Sequence, residues 1–311
     1  MIFSRASYNL PLFLLKMAAF LLLVLAFPAK AEEEIKENYL FSFKTYKSNC
    51  ILRVNDLPAA DNALVYSKTM SAGFNLTAFL ENGNNDIELL MGPQNHKDPK
   101  TLYPDSSCQV IVTKDTEKTS TEIANFKLTV NEKGEITASD SATAANSSTV
   151  FEGYTKNEKD YDFYKVRGSL KAAGLPRWSW VNATPVTEND LQKIKVAYTD
   201  IWMMMKDRDI EGLKKITQIS NQEMAFAEGS TTGMMFISTD FPQHVIDKKL
   251  TPLPIDWSKY KIIKYRDGRL FRLGVGFFQN SPLRFINEEG KIVFAYRPYF
   301  SIIEGKVTLV R

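Results

Sequence analysis

The spacing of apolar residues changes once along this chain, near residue 185, and that change limits the fold more than any other feature. From about Tyr39 to Thr184 apolar positions alternate in short runs: "YLFSFKTY", "CILRV", "CQVIVTK", "FKLTV", "EITAS", "YDFYKVRGSL" and "RWSWVNA". Gly, Asn and Asp separate these runs at short intervals, and no helical period lasts. Alternation places every second side chain on one sheet face, so the pattern predicts a β-sandwich. The small, polar stretch Ser139–Thr149 has too little apolar surface to order itself and reads as an exposed loop. After Pro185 the period lengthens. Thr187 is a plausible N-cap with Asp190 three residues on, and Leu191, Ile194, Tyr198, Ile201 and Met205 recur at helical spacing. "IEGLKKITQIS" and "NQEMAFAEG" read as shorter helices. From Trp257 strands return: "YKIIKY" and "LFRLGVGFF" flank the turn Arg266–Arg269, "LRFIN" and "KIVFAYRPY" flank Glu289-Gly290, and "KVTLV" follows. Helices followed by an antiparallel meander define an α+β unit.

The expected fold is therefore mainly β: a sandwich over residues 32–184, then an α+β domain over 185–311 with helices packed on an antiparallel sheet. Without residues 1–31 the length is about 280 residues, which suits two domains better than one.

Residues 1–31 are set apart from both. Arg5 and Lys16 precede and flank "MAAFLLLVLAF" (Met17 to Phe27), Pro28 breaks the apolar run, and Ala29-Lys30-Ala31 is a small-x-small cleavage site. Basic, apolar and small residues in that order predict a secretory signal. The apolar core is well short of the roughly 20 residues a membrane span needs. The mature protein is then periplasmic or secreted. Removing Arg5, Lys16 and Lys30 also reduces 39 basic residues to 36, equal to the 36 acidic ones. A neutral chain offers nucleic acid no net phosphate-neutralising charge, and no other apolar run reaches spanning length.

Export also decides how the two cysteines read. Cys50 and Cys108 are an even pair in an oxidising compartment, which predicts one disulfide. Each opens an apolar run, so a link between neighbouring strands or facing sheets is geometrically reasonable. Closing a loop of about 58 residues contributes roughly 4 kcal/mol in the chain-entropy account.

One stretch has a family likeness. Val54-Asn55-Asp56, then Asn75-Leu76-Thr77, Phe79-Leu80 and Gly83-Asn84-Asn85-Asp86-Ile87, within residues 54–91, resembles the galactose-binding-like jelly-roll modules. There a strand ending in a V-N-G-like sequence precedes an "N-I-T-x-x-L-x-x-G-x-N-x-I" segment, and here Asp56 replaces the Gly. The resemblance implies an architectural corner, with Phe79, Leu80, Ile87 and Leu89 filling a sandwich. The order of elements after residue 185 loosely resembles NTF2-like or cystatin-like folds, in which a curved sheet wraps a long helix.

Catalytic patterns are sparse. His96 and His244 both sit in irregular, turn-rich stretches, and no "GxSxG" elbow holds a nucleophile. Neither His nor Cys has zinc-ligand spacing, and no cofactor is implied. Asp160 and Asp162 in "KDYDF" read as part of an edge strand, whereas Asp207 and Asp209 end one helix and cap the next. A glycosidase would need two carboxyls at a set separation, which linear order does not give. The aromatic signals are stronger. Trp178 and Trp180 alternate, so on a strand they would face one side, either as a stacking platform or as core at the junction. Met203 and Met204 share a helix turn with Trp202 and Met205, an arc too wide to be wholly buried. Tyr296 and Tyr299 lie on the last strands.

These features predict an exported, non-catalytic protein that binds another macromolecule in the cell envelope. Trp178, Trp180, Met203, Met204, Tyr296 and Tyr299 are its candidate contacts. An immunity protein that neutralises a toxin in the periplasm is the specific expectation, by analogy of class. The competing expectation is a glycan-binding protein, or a glycan-active enzyme, using the tryptophans and two carboxylates.

Overall fold

Strands dominate from Asn38 to Ala172: β1 (Asn38–Tyr46), β2 (Ser48–Val54), β3 (Leu57–Asp61), β4 (Met70–Asn75), β5 (Gly83–Pro93), β6 (Ser107–Asp115), β7 (Ser120–Val130), β8 (Ile136–Thr137), β9 (Ala142–Thr143), β10 (Ser147–Gly153) and β11 (Tyr164–Ala172). The structure is a computed structural model and describes residues 37–139, 141–143 and 147–311. The expected export signal, residues 1–31, lies outside these. One antiparallel sheet runs β4-β1-β6-β7-β8, with β9 also on β7, and a second runs β10-β11-β5-β2-β3. Alternation on both gives one shared apolar cluster: Phe41, Val110 and Phe126 from the first sheet meet Leu52, Leu89 and Val166 from the second. The sheets approach closely at Gly168, where a Cβ would fall 1.9 Å from the Phe126 ring. The Cys50–Cys108 disulfide, with Cα atoms 5.9 Å apart, joins β2 of one sheet to β6 of the other.

One expectation changes here. The stretch expected as a loop at 139–149 ends in strand: Ser147 to Thr149 pair with β11. β10 is an edge strand with mostly exposed side chains, so backbone pairing alone suffices and small polar residues are no obstacle. Asp140 and residues 144–146 of that stretch lie outside the described residues. Strands β3 and β4 carry no clear alternation, and both are also edges. Pro58 is tolerated in β3 for that reason.

Helices occupy the middle of the second half, at Leu191–Asp207, Ile210–Ile216, Gln218–Glu228, Thr232–Ser238 and Phe241–Ile246. Asp190 accepts the Thr187 backbone N–H at 2.9 Å, completing the expected entry turn. The long helix buries Ile194, Tyr198, Ile201 and Met205, as their spacing requires. Strands β12 (Thr251–Pro252), β13 (Lys261–Tyr265), β14 (Leu270–Gly274), β15 (Arg284–Ile286), β16 (Ile292–Ala295), β17 (Phe300–Ile303) and β18 (Lys306–Leu309) follow. They form two antiparallel sheets, β13-β14-β17-β18 and β12-β15-β16. Phe271 and Leu273 of β14 face the helix core, and the Leu273 N–H donates to the Tyr198 hydroxyl at 2.9 Å. The chain is thus mainly β, with four antiparallel sheets and a helical segment in its C-terminal half.

The change from strand to helix falls where the period changes, but residues 37–311 pack as one compact unit. A third apolar cluster joins Leu57 and Ala78 to Trp178, Trp180, Ala227, Leu270 and Val310. The segment "RWSWVNA" is a run of turns, not a strand. Its indoles point inward because each N–H finds a carbonyl at the corner after β4: Trp178 donates to Leu80 O at 2.8 Å and Trp180 to Ala78 O at 3.2 Å. "DYD" is likewise a 3-10 turn ending in left-handed backbone at Tyr161 and Asp162 (φ 54° and 58°), not an edge strand.

Candidate functional site

The outer face of the β10-β11-β5-β2-β3 sheet carries both apolar and charged residues. Ile51 and Leu90 point outward beside Phe163, forming a small buried cluster. Arg53 lies opposite Glu88 on β5. With Lys165 and Asp160 these two form a ring of four charges. Arg53 reaches Glu88 at 3.2 Å and Asp160 at 2.7 Å, and Lys165 reaches the same two carboxylates at 3.2 and 2.8 Å. The Arg53 guanidinium also donates to the Lys159 carbonyl. Burial pushes the Asp160 carboxyl upward, but hydrogen bonds from Lys165, Thr155 and Arg53 outweigh this and hold it below its ordinary 3.8. The ring fastens the Glu158–Asp160 turn to the sheet. The next residue, Tyr161, is then held against Phe277 from the second half, with ring centroids 4.5 Å apart.

That contact is the neck between two adjoining hollows, which share Ile51, Tyr161 and Phe277. The first, about 730 Å³, is walled by Tyr66, Tyr103, His96 and Phe163. Tyr66 is 99% exposed. Three polar side chains here, Asn49, Asn62 and Lys68, are already engaged within the protein. Asn49 Nδ2 donates to the Pro93 and Gln94 carbonyls. Asn62 serves Thr45, Ser48 and Lys68 through Nδ2 and accepts from the Cys50 N–H. Lys68 Nζ donates to the carbonyls of Asn62 and Ala63.

The second hollow, about 970 Å³, lies between β2-β3 and the face of β13-β14 turned away from the helices. Arg272 of β14 lines it and is buried, and its guanidinium lies 4.8 Å from the Tyr299 ring centre and 5.8 Å from that of Tyr265. Its NH2 donates to Gln279 Oε1 at 2.6 Å, and the Tyr265 hydroxyl donates to the same oxygen. Burial raises the pKa of both tyrosines, against the opposing charge of Arg272. At the rim, Phe277 and Phe278 meet edge to face and are 43% and 39% exposed. On the opposite wall burial raises the Asp56 carboxyl, reinforced by Glu88 and Asp86.

Of the six candidate contacts expected from sequence, only Tyr299 lines either of these two hollows. Trp178 and Trp180 are buried in the shared cluster, so neither presents a stacking face to solvent. Met203 is 42% exposed, whereas Met204 is half-buried against the helix core, and neither lines the groove. Tyr296 stacks on Phe241 at 4.1 Å. His96 packs edge-on against Phe163, and His244 stacks on Phe294, so the two histidines serve different packing contacts. Asp209 caps its helix as expected, accepting the Gly212 N–H at 2.8 Å. Among the described residues no group of three or more His, Cys, Asp or Glu side chains is placed to hold a metal, and no helix is long and apolar enough to cross a membrane.

Comparison of the chain with family models, curated proteins and solved structures finds no match in any of the three.

The groove residues gave weak signals in sequence. Tyr66 and Tyr103 stand in turn-rich stretches, and the expected strand "LFRLGVGFF" ends at Gly274, which leaves Phe277 and Phe278 in the turn that follows. A pair of adjacent aromatic residues in a Gly-containing turn was the one available sign, because such a turn has no core to fill on both sides.

Proposed function

We propose that this is an exported, non-catalytic protein that binds another macromolecule, with the joined hollows as its binding surface. In this reading residues 32–184 are a jelly-roll-like β-sandwich and 185–311 an α+β domain, and the groove uses both. The observation that carries it is the set of exposed rings, Tyr66, Tyr103, Phe277 and Phe278, along a groove in whose first hollow Asn49, Asn62 and Lys68 are hydrogen-bonded within the protein. Aromatic side chains on a rigid scaffold give large contact area at low entropic cost and dominate interface hot spots. A protein partner in the cell envelope fits that groove best. The neutralised toxin of an immunity protein is the specific case, supported by class analogy alone.

A glycan is the second reading. Sugar recognition needs directed hydrogen bonds beside the stacking rings, and engaged amides at Asn49 and Asn62 weigh against it in the first hollow.

The test is capture of partners from the envelope fraction by the purified protein, read by mass spectrometry, followed by affinity measurements. Tyr66→Ala and Phe277→Ala should each weaken binding by about 2 kcal/mol with melting unchanged. Trp180→Ala should lower stability by about 3 kcal/mol or more while leaving affinity per folded molecule intact. Loss of affinity from Trp180→Ala alone, with the rim variants silent, would place the surface elsewhere. Turnover of a cell-wall glycan, abolished by one Asp or Glu change in a folded protein, would sink the binding reading.

A further inference from the structure

We infer that Arg272 is the anchor of a carboxylate site at the base of the second hollow, and that the ligand carries its carboxylate on an apolar body.

The first support is the state of the guanidinium. Arg272 is 5% exposed, yet no carboxylate pairs with it among the described residues, although the same structure pairs Arg53, Arg266, Arg269 and Arg311 with acids. A buried cation without a counter-ion costs several kcal/mol, so such a group is kept only where something offsets it. The two tyrosine rings offset part through their faces. Both ring centres lie within 6 Å of the guanidinium carbon. Gln279 takes one of its five N–H groups, and Nε has no partner among the described residues.

Geometry selects the ligand. A guanidinium edge presents parallel N–H groups in a plane, and a carboxylate accepts from two of them at once. Arg272 lines the hollow, so an anion that enters it can approach the guanidinium. Nearby Arg297 and Lys261 also line the hollow without a described acidic partner, which makes this end positive. Phe277, Phe278 and Tyr161 line the same hollow and suit an apolar or aromatic body behind the carboxylate. The inference stands apart from macromolecular binding, because a small acid can fill the site whether or not a partner protein covers the groove.

The experiment titrates the purified protein with N-acetylphenylalanine, its neutral amide, and inorganic phosphate at constant ionic strength. The Arg272 Nε–H signal is followed by ¹⁵N NMR, identified by its loss in Arg272→Lys. The expected result is a saturable shift with the acid and affinity at least tenfold lower for the amide. Arg272→Lys should bind the acid at least tenfold more weakly. If that variant does not fold, thermal shift of the unaltered protein with the same three probes gives the same discrimination. No saturable response to the acid, or equal binding of acid and amide, overturns the site. Tighter binding of phosphate overturns its assignment to a carboxylate.

Discussion

Arg269 donates from NH1 and NH2 to the two carboxylate oxygens of Glu81, both at 2.8 Å, across 188 residues of chain. Arg266 pairs with the same carboxylate and donates to Asn55 Oδ1 at 2.8 Å. Burial, followed by the charge of Arg269, pushes the Arg266 guanidinium down to about 10. Glu81 thus holds two cations from the β13–β14 turn against the corner between β4 and β5. Glu81→Gln leaves two largely buried guanidinium groups without a carboxylate. Stability should fall by about 3 kcal/mol, measured by urea unfolding. A loss below about 1 kcal/mol would mean that solvent, not Glu81, satisfies the arginines.

The four-charge ring on the outer sheet face predicts an acid-sensitive step. The folded Asp160 carboxyl is held below its ordinary 3.8, so its stabilisation is complete above that value and disappears as pH falls through the folded pKa. Asp160→Asn should cost about 3 kcal/mol at pH 7 and flatten the fall in stability below pH about 4. Parallel stability curves for the two proteins across that range would contradict the assignment.

Asp56 is expected to act in the opposite sense. With Asn55 it forms the two-residue turn between β2 and β3, at φ 66° and 55° respectively, a conformation suited to Gly at the second position. Its carboxyl is raised by burial, then by Glu88 and Asp86, so ionisation weakens the fold as pH rises through the folded pKa. Asp56→Gly should therefore raise stability at pH 7 by about 1 kcal/mol or more, from relieved left-handed strain and removed charge. The gain should shrink at pH 3, where the carboxyl is protonated and only the backbone part remains. Melting curves at both pH values measure it.

The disulfide crosses between sheets, so its loss should loosen the first-half core and leave the groove chemistry intact. Replacing Cys50 and Cys108 together with Ser should lower stability by up to about 4 kcal/mol. Non-reducing peptide mapping of protein from its native compartment should recover one linked pair. Free thiols there would remove the bond from this account.

What local order encodes was legible from the sequence. Ile194, Tyr198, Ile201 and Met205 repeat every three or four residues, and a helix of that period has one face to bury, so their place in the core followed directly. Phe41 and Phe43, or Val110 and Val112, alternate in strands with one face inward, and the pairing of Cys50 with Cys108 needed only an even count and the expectation of export. Tertiary structure alone decided the rest. The strand "LFRLG" buries all five residues, with Phe271 and Leu273 in the helix core and Leu270 in the cluster of Leu57 and Ala78, so no alternation marked Arg272 as special. Trp178 and Trp180 could have been platform or core, and the choice fell to the Leu80 and Ala78 carbonyls about a hundred residues earlier. The groove joins Tyr66, Tyr161 and Phe277 from three distant segments. A contact of that kind is set by how sheets pack and where buried charges find partners, and neither leaves a period in the chain.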